Sequence, residues 1–126
     1  MKYIYLVGFR GTGFRNKQYQ DEPLLIRAGH VGFYFEDDPD LIFGFHPTKQ
    51  AVSAIGDDRE VINWLKNNRM LEGALHDDTA IFHRAYELAQ FGAPTDVWQI
   101  AIPVQDDDFD RIRERAEQWY NDGKVF

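Results

Sequence analysis

The chain contains no cysteine. Disulfides, thiolate metal sites and a cysteine nucleophile are therefore excluded from what these residues do alone. Serine is nearly absent as well: Ser53 is the only one, and no glycine-flanked elbow surrounds it. No stretch approaches the ~18 apolar residues of a membrane span. The opening MKYIYLVGFR alternates and meets Arg10 too soon for a signal peptide. The expectation is a soluble, cytoplasmic protein with no membrane partner. Positive charge is scarce, with 14 Lys and Arg against 21 Asp and Glu and a net charge of −7. Only Arg111, Arg113 and Arg115 gather in one place, so a nucleic-acid partner is disfavoured, because phosphate contacts need a basic patch.

What is present argues for a globular fold. Hydrophobic residues make up 44% and aromatics 15% of 126 residues, enough for one real core, and residues 1–126 are expected to form a single domain. Lys2 to Phe9 is rich in β-branched and aromatic residues and reads as a strand. Residues 10–23 read as a polar loop, and Leu24 to Ile26 as a short strand. His30 to Glu36 and Leu41 to Phe45 read as strands joined by a turn at DDPD. TKQAVSAIG suggests a helical turn ending at Gly56. Asp57 suits the N-cap of a helix whose Val61, Trp64 and Leu65 share a face. A further helix is expected in HDDTAIFHRAYELAQFG, capped by Asp78 or Thr79 and stopped near Gly92. Val97 to Val104 is a strand with Trp98, Ile100 and Ile102 on one side. In DDDFDRIRERAEQWYNDG, acids fill the first turn, Phe109, Ile112, Ala116 and Trp119 form a stripe, and Gly123 ends the helix. The order predicts an α+β fold, with an antiparallel β-sheet packed against about three helices.

Several tempting motifs read more simply as structure. GFRGTG (residues 8–13) lacks the lysine and hydroxyl that a phosphate loop places after its second glycine, so it reads as a loop. The acids Glu36, Asp37, Asp38 and Asp40 lack the alternating ligands and mid-loop glycine of a calcium loop and read as a solvated turn. Asp106, Asp107 and Asp108 suit a helix N-terminus. His76 and His83 are spaced to share a helical face and with Asp77 or Asp78 would offer zinc a ligand set, but His76 precedes the expected cap. No cofactor or metal is called from these patterns.

The hairpin RAGHVGFYFEDDPDLIFGFHP, residues 27–47, holds two of the four histidines. Along its first strand His30, Gly32, Tyr34 and Glu36 share one face. His46 follows Gly44 in the same rhythm on the second. Glycines beside the imidazoles leave room either for a substrate or nucleophile-bearing element, or simply for a covering helix. Register separates the outcomes. A simple four-residue loop pairs Glu36 with Leu41 and puts His30 and His46 on opposite faces. One extra or missing residue, or a bulge, brings them together.

GHVGFYF, a turn, and LIFGFHP together resemble the histidine hairpin of papain-like hydrolases of the NlpC type. The FGFHP stretch and the strand-helix DVWQIAIPVQDDDFDRIRERAEQWY resemble the circularly permuted group that includes the lecithin retinol acyltransferase-like proteins. The resemblance implies a papain-like permuted core, hydrolysis of amide or ester bonds in a peptide or acyl substrate, His30 as general base and His46 as the residue that orients it. In the permuted group an Asn-Cys pair supplies the nucleophile late in the chain, where this sequence reaches Val125-Phe126. Three outcomes stay open: a truncated chain whose nucleophile lies beyond Phe126, a degenerate binding domain, or histidines that are only structural. The alternative to a hydrolase is a non-enzymatic interaction domain, using Trp64, Trp98 or Trp119 beside an acidic rim to bind a protein partner or a second copy.

Overall fold

In a computed structural model of the chain, residues 1–47 and 72–126 are described. The expected helical turn before Gly56, the Asp57-capped helix with Trp64, and Ser53 lie outside them. Among the described residues the strands are β1 (Lys2–Arg10), β2 (Gly29–Phe35), β3 (Asp38–Pro47), β4 (Gly73–Asp77) and β5 (Trp98–Val104), and the α-helices are α1 (Leu24–Ala28), α2 (Thr79–Gln90) and α3 (Asp106–Asp122). The strands hydrogen-bond in the order β4-β3-β2-β1-β5. Every neighbouring pair is antiparallel. The architecture is α+β, with helices on both faces of one antiparallel sheet.

The alternation of each strand sorts side chains onto two cores. One face carries Val7, Phe9 and Ile42, closed by Ile26 of α1 and by Phe82, Ala85 and Leu88 of α2. The other carries Ile4, Phe35, Phe43 and Leu75 and is closed by Phe109 and Ala116 of α3. Fully burying one such phenylalanine stabilises by about 1.5–3 kcal/mol, so Phe35, Phe43, Phe82 and Phe109 anchor the two layers. Trp98, Ile100 and Ile102 do share one side of β5, but β5 is an edge strand and all three stay exposed. Ile112, expected in the buried stripe of α3, is also exposed.

Two elements differ from expectation. Leu24 to Ile26 is helical, not a strand. Pro23 supplies a helix-compatible φ of −54° at the N-cap, Ile26 and Arg27 both donate backbone bonds to the Pro23 carbonyl, and Gly29 (φ 90°) ends the turn. The strand β4 was not anticipated. GALHD is short and mixed in polarity, and its place is set by pairing of Phe43–Pro47 with Asp77–Gly73.

The DDPD turn also shifts. The chain turns at Glu36-Asp37, and Asp38 already belongs to β3. Pairing runs Gly32↔Gly44 and Phe33↔Phe43, then jumps to Phe35↔Asp38. β3 therefore bulges between Asp38 and Phe43, around Pro39, which has no N–H to give to a ladder. This bulge sets the register on which the histidines depend.

Candidate functional site

Asp78 stands at the joint between β4 and α2. Its backbone N–H donates to the Ile42 carbonyl at 2.8 Å, and its carbonyl accepts the first helical bond from Phe82 at 3.0 Å. The side-chain cap is made by its neighbour, since Asp77 Oδ1 accepts from the Thr79 N–H at 3.1 Å. The Asp78 carboxylate makes no cap hydrogen bond. It turns under the sheet instead.

There it meets both hairpin histidines. His30 Nε2 lies 2.7 Å from Asp78 Oδ2 and His46 Nε2 lies 2.9 Å from Asp78 Oδ1. The register Gly32↔Gly44, carried two residues further along each strand, puts both imidazoles on one face. Their ring centroids are 5.4 Å apart. The cluster is secluded, with side-chain exposures of 7% for His30, 5% for Asp78 and 19% for His46. The Phe82 ring walls His30 at 5.7 Å.

The glycines fill the role of spacers for a covering helix. A β-carbon on Gly44 would fall 1.7 Å from Asp78 Oδ2 and 2.4 Å from His30 Nε2. One on Gly32 would fall 2.8 Å from the Phe82 ring. The lane beside the imidazoles is thus occupied by α2 and its preceding aspartate. His30 and His46 do converge as the bulged register requires, but they meet through a carboxylate rather than across a gap.

Charge and hydrogen bonding define the state of the cluster. Burial pushes the Asp78 carboxyl up, yet the hydrogen bonds from His30 and His46 reverse this and bring it to about 2. The carboxylate is ionised and can only accept, so His30 carries its proton on Nε2. His46 is more constrained. Its Nδ1 lies 3.2 Å from the Pro47 carbonyl, another pure acceptor, while its Nε2 faces Asp78. One proton on the ring can serve Asp78 through Nε2 or Pro47 through Nδ1, but not both. His76 stacks parallel on His46, with centroids 3.7 Å apart and planes at 11°. Burial, then the nearness of His46, pushes His76 down, and its Nε2 is buried with no hydrogen-bond partner among the described residues.

No known protein family, curated protein or solved structure matches the chain. The site therefore rests on its own geometry. Both candidate histidines, His30 and His46, belong to one cluster, and the residue that joins them, Asp78, was expected as a helix cap or as an acid beside His76 and His83, not as a partner of the hairpin. The available signal was the doublet Asp77-Asp78, two acids where one suffices as a cap. The pairing of His76 with His83 does not form: α2 begins after His76, and His83 is exposed near Tyr86.

The remaining motifs are spoken for by structure. In GFRGTG the backbone N–H groups of Thr12 and Gly13 already donate to the Ile26 and Arg27 carbonyls at 3.1 and 3.0 Å. Asp37 pairs with Lys2 at 3.0 Å and Arg113 at 2.7 Å, and Glu36 accepts from the Tyr3 N–H at 2.8 Å. Arg111 pairs with Asp108, and Arg115 lies over the Trp119 ring. On the opposite face of the sheet from the histidines, Phe33, Phe45, Leu75, Ile112 and Trp119 line a groove of about 800 Å³ beside α3.

Proposed function

We propose that the chain is a hydrolase-type domain of papain-like, permuted kind, suited to amide or ester bonds, which carries the base and its orienting group but not the nucleophile. The hairpin GHVGFYF…LIFGFHP supports the likeness. The observation that carries the reading is the 2.7 Å bond from His30 Nε2 to the buried Asp78 carboxylate. A base fixed through Nε2 presents the Nδ1 lone pair for proton transfer. Asp78 takes the orienting part expected of His46, and His46 steadies that carboxylate from its other oxygen.

In such chemistry Nδ1 of His30 would take the proton of a thiol as sulfur bonds to the acyl carbon, then return it to the departing amine or alcohol. These 126 residues hold no thiol. The chain by itself is therefore expected to form no acyl-enzyme and to release no product from ester or amide reporters. Two measurements test this. Imidazole 15N shifts of the chelator-treated protein should report the Nε2–H tautomer for His30, and an Nδ1–H tautomer would remove it as a base. Hydrolysis by the wild-type chain that His30→Ala abolishes would show that a nucleophile is present after all.

A further inference from the structure

The geometry points to a divalent-cation site, zinc by ligand type, made by His30 Nε2, His46 Nε2 and a carboxylate oxygen of Asp78. These three ligand atoms lie within 4.8 Å of one another. Zinc takes imidazole nitrogen and carboxylate oxygen at about 2.0–2.2 Å, so tetrahedral neighbours stand about 3.3 Å apart. The present nitrogen–oxygen contacts of 2.7 and 2.9 Å would open by roughly half an ångström to admit the ion. Three protein ligands leave a fourth position, on the side of His46, the least buried of the three.

A second observation comes from His46. Its Nδ1 lies 3.2 Å from the Pro47 carbonyl, and a ligating imidazole is commonly held by such an acceptor with Nε2 turned to the metal. In the tautomer protonated at Nδ1, Nε2 turns its lone pair toward Asp78 Oδ1 at 2.9 Å, an arrangement that a cation between them satisfies. A cation takes the place of the protons now shared among the three groups. The donor set of two nitrogens and one hard oxygen suits zinc, and the negative carboxylate offsets part of the ion's charge. His30 must then move its proton to Nδ1, so a loaded centre withdraws His30 from service as a base. The inference does not rest on the hydrolase reading.

Zinc chloride alone, titrated into the full chelator-stripped chain, should bind one equivalent with a calorimetric Kd of micromolar or below. Cobalt should give visible bands of tetrahedral intensity. On zinc binding, the 15N shifts of His30 and His46 Nε2 should move and His30 should switch to the Nδ1–H tautomer, a readout that needs no variant. His46→Gln and Asp78→Asn, checked for folding by circular dichroism, should weaken binding by about 100-fold or more, and His83→Ala should leave it unchanged. Absence of one-to-one binding at 100 µM zinc would overturn the inference. So would binding that leaves the His30 and His46 shifts in place, or that survives in a folded His46→Gln variant. Zinc binding without any hydrolysis would leave the inference standing and speak only to the catalytic reading.

Discussion

Gly44→Ala is a one-carbon test of the central cluster. The added methyl would lie 1.7 Å from Asp78 Oδ2, 2.8 Å from its Cγ and 2.4 Å from His30 Nε2. The helix cannot simply step back, because the Asp78 N–H is tied to the Ile42 carbonyl on the same strand, two residues away. The carboxylate must swing out, and both imidazoles lose their acceptor. Overpacking a tight site costs about 1–3 kcal/mol. Losing hydrogen bonds to a buried charged group adds about 1.5–3 kcal/mol. Together they predict a loss of about 2.5–6 kcal/mol, a large part of the ~5–15 kcal/mol that holds a domain folded. Urea unfolding at neutral pH, in chelator, followed by circular dichroism and tryptophan fluorescence, measures it. Gly92→Ala is the comparison, since its φ of 85° strains alanine but no atom of the described residues lies within 4 Å of the added carbon. It should lose about 1–2 kcal/mol, the cost of a left-handed alanine alone. If Gly44→Ala fell within 1 kcal/mol of wild type, the carboxylate would not be lodged where the geometry puts it, and the site would lose its foundation.

Thr79→Val should destabilise by about 1–2 kcal/mol in the same assay, because it strips the acceptor from the Ile42 N–H (3.0 Å to Thr79 Oγ1) and the donor to Asp77 at the start of α2. Phe109→Ala should cost about 3–5 kcal/mol, since this ring is fully buried and meets Phe35 edge-on at 5.5 Å. Acid should weaken the protein partly through Glu22, whose carboxyl Arg84 holds below the usual range through a hydrogen bond. A lowered folded pKa means the contribution is present at neutral pH, starts to fade as pH drops below about 4.3 and is gone below the folded value. Arg84 is 39% exposed, so the effect is at most about 1 kcal/mol, and Glu22→Gln should flatten the stability profile below pH 5 by that amount.

Local signals made the outer elements legible from the residues alone. The acids at 106–108, the spacing of Phe109 and Ala116, and Gly123 at a left-handed φ of 61° define α3 without reference to the rest of the molecule. Alternation likewise marks β1, β2 and β5, because period-two patterning is a property of each strand by itself. GALHD carries too few residues for a period to show, and a Leu-Leu-Ile run after Pro23 suits a helix turn as well as a strand. In both cases the deciding energy comes from neighbours: the β3 edge for β4, and the sheet face beneath α1.

For the site, sequence alone determined which groups are present: two histidines spaced by glycines on a hairpin, no thiol, and an acidic doublet ahead of a helix. Whether those histidines meet depended on a bulge near Pro39, since one residue of slip turns every side chain to the other face of the sheet. That Asp78 joins them depended on packing between segments 32 and 48 residues apart in the chain. Such a contact follows from how β4 hands α2 across the sheet, and no spacing along the chain encodes it.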